Sequence, residues 1–123
     1  MLTIKKTEDI EKVNQYLKAH NIEHNLENEQ VMCASCDENI IGVGSLALID
    51  YKVYLNFLHA KDDDSMLLLG LAKSLLNMAD LRGIKTVYGH NPSLFSLYER
   101  LRFKQENGEY VLSLSHYFEA EHH

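Results

Sequence analysis

The apolar spacing of this chain changes period near residue 61, and that change limits its fold more than any other feature. Before it, Val31 to Asp37, Ile40 to Leu48 and Lys52 to Ala60 read as three strands, with Asp37-Glu38-Asn39 as the turn of a hairpin. After it, Leu68, Leu71, Ala72, Leu75, Met78 and Ala79 recur at intervals of three and four, which predicts a helix from Ser65 to Leu81. Asp64 or Ser65 is placed to cap its start, and Arg82-Gly83 closes it. A β-branched stretch, Ile84 to Tyr88, then reads as a strand lying parallel to the strand before the helix, because a helical crossover joins parallel neighbours.

The flanks complete the order. Met1 to Lys6 reads as a strand, followed by a helix with Thr7 as cap and Ile10, Val13 and Leu17 on one face, ending near Asn21. Glu23 to Gln30 is polar and reads as a loop or a fragment of a second helix. Downstream, Pro92-Ser93 opens a helix carrying Leu94, Leu97, Tyr98 and Leu101, and Phe103–Gln105 with Tyr110–Tyr117 forms a hairpin about Glu106-Asn107-Gly108-Glu109. The expectation is an α+β fold with a mixed, mostly antiparallel sheet flanked by helices. Residues 1–123 form one domain, a length that supports one modest core. The crossover helix begins beyond the end of its strand, where helix amides and the helix dipole favour an anion.

Composition narrows the partners. With 12 Lys plus Arg against 18 Asp plus Glu, the net charge is −6, which argues against nucleic acid as a partner. No apolar run reaches the roughly 18 to 20 residues that span a bilayer, and the N-terminus is too short an apolar stretch for a signal peptide, so the chain reads as cytoplasmic with no membrane partner. Cys33 and Cys36 spell C-A-S-C, but on a strand residues three apart point to opposite faces, which favours two semi-buried fillers over a redox pair. The seven His show no ligand spacing for a metal, and Glu121-His122-His123 reads as the stub of a purification tag.

Two segments, Leu67 to Leu76 and Asn91 to Phe103, resemble motifs of the GNAT superfamily of N-acyltransferases. Leu67-Leu68-Leu69-Gly70-Leu71-Ala72, followed by Lys73-Ser74-Leu75-Leu76, resembles the family's Gln/Arg-x-x-Gly-x-Gly/Ala turn leading into its long helix. Asn91 to Phe103 is similar to the family's Asn, seven residues, then Tyr-Glu-Lys-Leu-Gly-Phe, and keeps the Asn-to-Tyr spacing, the Leu before the Tyr, and the closing Leu and Phe.

The resemblance implies a GNAT-like fold and transfer of an acetyl group from acetyl-CoA, as co-substrate, to a primary amine on a small molecule or peptide. It implies that the amides of Leu68, Leu69, Gly70, Leu71 and Ala72 hold the CoA pyrophosphate, that Leu58, His59 and Ala60 pair with the pantetheine arm, and that Asn91 contacts that arm. Tyr98 would protonate the departing thiolate, a phenol near pKa 10 being matched to a thiol of similar basicity. His59, at a strand end, is an acceptor-side candidate for a general base or simply a solvated His.

The chain departs from the family pattern at Leu67, at Leu94 and at Arg102. Lys61-Asp62-Asp63-Asp64 also places three carboxylates ahead of the helix, where they would repel a pyrophosphate. These departures support a second reading, a catalytically degenerate GNAT-like module that acts through a protein partner or another CoA-type ligand. The last hairpin, Tyr110 to Phe118, offers an edge for a homodimer.

Overall fold

Strands β1 (Leu2–Lys6), β2 (Gln30–Cys36), β3 (Asn39–Ile49) and β4 (Lys52–Ala60) pair in succession, each antiparallel to the last, in a computed structural model that describes residues 1–120. The expected tag remnant, residues 121–123, lies outside the described residues. Asp37 and Glu38 both take positive φ, 51° and 71°, the backbone that a two-residue hairpin needs to match the strand twist. Helix α2 (Ser65–Leu81) crosses to β5 (Thr86–Gly89), which lies parallel to β4. A tight turn at Pro92–Leu94 leads into α3 (Phe95–Arg100), and the chain closes with β6 (Lys104–Glu106), β7 (Glu109–Ser113) and a short α4 (Tyr117–Ala120). The sheet order is β1-β2-β3-β4-β5-β7-β6, and the fold is α+β.

Each sheet face carries its own apolar cluster. Helix α1 (Ile10–Ala19) places Val13, Tyr16 and Leu17 over Val31, Cys33 and Val43, with Phe57 at the margin. On the other face α2 and α3 cover Ala34, Leu46, Leu55, Leu58, Ala60 and Val87. Successive residues of a strand point to opposite faces, and two bulges break that alternation, one at Ile41 of β3 against β2 and one in β4 against β3. Ser45 pairs with Phe57 and Leu46 with Leu55, so Asn56 is an extra residue in β4.

Local competition moves several boundaries from their expected places. Asp9, not Thr7, caps α1 by accepting from the Lys12 amide, while the Thr7 hydroxyl accepts from the Asp9 amide. Ile84 does not join β5, because its amide closes the end of α2 on the Ala79 carbonyl. Glu23 to Glu29 is a loop rather than a helix fragment, and Gln30 opens β2. The last strand stops at Ser113, where Tyr117 turns back onto the Leu114 carbonyl. Strand β7 itself offers no edge for the expected pairing through Tyr110–Phe118, because β5 and β6 occupy both its sides; the edge strand of that hairpin is β6.

Candidate functional site: the parting of β4 and β5

The parallel ladder between β4 and β5 lasts two residues, Val53 with Val87 and Tyr54 with Tyr88. Beyond it the strands separate, and side chains from the segment after β5 brace the apex. The Tyr98 hydroxyl donates to the Leu55 carbonyl at 2.7 Å, and the Asn91 amide nitrogen Nδ2 donates to the Asn56 carbonyl at 3.0 Å. The Asn91 backbone N–H donates to the Tyr98 hydroxyl at 3.4 Å, which ties the two together. Further along β4, the Phe57 and His59 carbonyls lie against Gly44 and Gly42 of β3. Main-chain groups alternate between the two edges of an antiparallel strand, so Leu58 and Ala60 turn theirs toward the gap. Of the three residues expected to meet an arm through their main chain, Leu58 and Ala60 are oriented to do so and His59 is not.

Tyr98 is fully buried, its ring over Gly89 and beside Phe103 and Tyr110. Burial pushes its phenol up to about 12, against a smaller downward pull from the Asn91 and His90 amides. The expected match to a thiol near 10 is therefore revised, and the hydroxyl must leave Leu55 to meet a sulfur. Asn91 is a brace and a cap: its Oδ1 accepts from the Ser93 amide at 3.1 Å and from the Ser93 hydroxyl at 2.8 Å.

At the open end of the gap, Lys61–Asp63 forms a single tight turn with Asp62 and Asp63 at φ 59° and 51°. The Asp64 carboxylate accepts from the Met66 and Leu67 amides at 3.1 and 3.2 Å, and the Leu68 amide donates to the Asp64 carbonyl at 2.9 Å. From Leu68 onward the amides belong to the helix ladder. The expected pyrophosphate donors, Leu68, Leu69, Gly70, Leu71 and Ala72, are thus committed inside α2, and this is a correction to the motif reading. Gly70 faces β1 instead, where an added Cβ would meet Ile4 Cδ1 at 3.4 Å. For acetyl-CoA the fit is divided: the gap offers main-chain partners for an extended arm, while the helix start that would take the diphosphate is filled by the protein's own carboxylate.

The α1 face of β4 holds a second group of polar side chains. The Tyr16 hydroxyl and His59 Nδ1 are 2.9 Å apart, with the His20 ring 5.2 Å from that of His59. Burial lowers the His59 pKa and the nearby His20 adds to that, against an upward pull from Asp63; burial also pushes the Tyr16 phenol up to about 12. Glu29, its side chain 9% exposed, accepts from the Ser45 hydroxyl and from Asn56 Nδ2 at 3.4 Å, and its Oε2 meets His24 Nε2 at 3.1 Å. His24 in turn stacks on Phe57 at 4.4 Å. This carboxylate was not among the sequence candidates. It sits on one face of Asn56, and Tyr98 reaches the neighbouring Leu55 from the other.

Cys33 and Cys36 are free, and burial pushes the Cys33 thiol up to about 11, the opposite of an activated thiolate. Among the described residues no group of three or more His, Cys, Asp or Glu is placed to hold a metal, and no helix is long and apolar enough to cross a membrane.

No protein-family model and no curated protein matches the chain in sequence. Solved structures match its fold from end to end. A GNAT-family acetyltransferase from Staphylococcus aureus Mu50 is 15% identical, with 93% of this chain and 99% of that one covered at a TM-score of 0.67. A GNAT-family acetyltransferase from Elizabethkingia anophelis, solved with acetyl-CoA bound, is 16% identical over 92% and 98% of the two chains, TM-score 0.62. A chain from a KacTA–DNA complex is 16% identical over 99% of both, TM-score 0.62.

Proposed function

We propose that this chain, which has the GNAT fold, is an N-acetyltransferase that moves an acetyl group from acetyl-CoA to a primary amine. One observation carries this reading: β4 and β5 part after two paired residues, with the Tyr98 hydroxyl at the apex and the Leu58 and Ala60 main chain along the open edge. A thioester arm can pair there as a further strand would. When bound, the co-substrate supplies the acyl group. The protein supplies the slot and the Tyr98 hydroxyl as the donor that turns to the sulfur. The α1 face of β4 supplies His59, whose pKa burial lowers, as the group that accepts a proton from an incoming ammonium. With only one clear helix ahead of β2, the acceptor side is shallow, which suits an amine on a peptide or an open-bound small molecule. The net charge of −6 weighs against nucleic acid as that acceptor.

The second reading, a non-catalytic GNAT-like module, is favoured by the Asp64 carboxylate on the first amides of α2 and by the commitment of Tyr98 to Leu55. Incubation with acetyl-CoA and a panel of primary amines and peptides, followed by thiol release, separates the two. Release that depends on the amine and slows at least tenfold in Tyr98→Phe supports the enzyme. Saturable CoA binding without release from any acceptor supports the module.

A further inference from the structure

Two observations at the open end of the β4–β5 gap define the donor's chemical class. The first is reach. The four steps from Asn56 to Ala60 in β4 span roughly 13 Å of extended chain. A pantetheine arm, two amide units joined by short methylene spacers, extends over about the length of four residues. A thioester seated beside the Tyr98 hydroxyl therefore delivers the far end of its arm to Ala60 and the Lys61–Asp63 turn.

The second is what occupies that end. Asp62 and Asp63 are exposed there, and Asp64 takes the Met66 and Leu67 amides with its own carboxylate. Lys61 is the one cation between residues 61 and 72, set against three carboxylates. A diphosphate carrying about two negative charges meets like charge, and first-turn amides that would offset it already have an anion.

We infer that the donor is a pantetheine thioester recognised through its arm and acyl group, and that the adenosine and phosphates of acetyl-CoA add no affinity. S-acetylpantetheine, which carries no phosphate, binds within threefold of acetyl-CoA or more tightly. This inference rests on the acyltransferase reading above.

Calorimetry with the intact protein tests it, using acetyl-CoA and S-acetylpantetheine at low and at physiological salt. The expected result is that acetyl-CoA binds no more than threefold tighter than S-acetylpantetheine, with acetyl-CoA affinity rising as salt screens the acidic turn. In Asp62→Asn/Asp63→Asn, acetyl-CoA binding tightens about fivefold to tenfold at low salt, and S-acetylpantetheine binding changes less than twofold. Acetyl-CoA binding more than threefold tighter in the unaltered protein, or unmoved by the double substitution, overturns the inference and leaves the acyltransferase reading standing. Absence of binding by both thioesters at millimolar concentration overturns the two together.

Discussion

The Tyr98 hydroxyl donates to the Leu55 carbonyl at 2.7 Å, across the point where β4 leaves β5. The bond makes a motif tyrosine part of the architecture as well as a candidate for the chemistry. Tyr98→Phe leaves a buried carbonyl without its partner, so stability should fall by about 1–3 kcal/mol. Urea midpoints measure that loss. In the same variant acetyl transfer should slow at least tenfold while thioester affinity stays within about twofold, since the arm is held by the main chain.

Gly89 and Gly70 should respond to alanine with opposite signs. A Cβ on Gly89 would stand 2.4 Å from Tyr98 Cζ, with no room for the ring to retreat into a filled core. Gly89→Ala should destabilise by about 1–3 kcal/mol or more. Gly70 lies in the second turn of α2 with ordinary contact distance to Ile4, so Gly70→Ala should stabilise by about 0.5–1 kcal/mol. It should also leave thioester binding intact, an outcome that a pyrophosphate-turn role for Gly70 does not allow. Thermal melts and calorimetry on the two variants check both signs.

Glu29 joins the loop before β2 to β3 and to the bulge of β4. Ser45 is fully buried and its hydroxyl donates to that carboxylate. Glu29→Ala should cost about 1–3 kcal/mol by stranding the hydroxyl, and Glu29→Gln should cost less because its amide oxygen still accepts. Denaturant midpoints of the pair test this ordering. Equal losses would place the effect in packing.

His59 makes stability depend on pH. Its folded-state pKa is lowered, first by burial and then by His20, so the unfolded chain binds a proton more readily than the native one. Below the ordinary His pKa of about 6.5 the native state is therefore penalised, and stability rises with pH through the window between the folded and unfolded values. Unfolding midpoints should fall between pH 7.5 and 5.5 in the unaltered protein and fall less in His59→Gln. Parallel curves would remove His59 as the cause.

Much of the frame was legible because it rests on local spacing. The Ser65–Leu81 helix follows from apolar residues every three or four positions, and the Asn91-to-Tyr98 interval places both residues at one apex. The motif at Leu67–Ala72 conflicted with that same spacing. A helix that starts at Ser65 under an Asp64 cap already commits the Leu68 amide, so the periodicity and the motif could not both hold. Glu29 was hidden for another reason. It lies in a polar stretch with no period, and its partners Ser45 and Asn56 are 16 and 27 residues away. The bulge at Asn56 breaks the alternation that a strand reading assumes, and only the register of β3 against β4 reveals it.

On the proposed function, the edge of β4 beyond Leu55 is a binding edge for a thioester arm. Titrating acetyl-CoA and S-acetylpantetheine into isotope-labelled protein, with backbone amide resonances recorded, tests it most directly. Saturable shifts are expected to concentrate at Leu58 and Ala60, the residues whose main chain faces the gap, with smaller shifts at the β3-facing amides of Phe57 and His59. Unmoved Leu58 and Ala60 amides at millimolar concentrations of both ligands would contradict it.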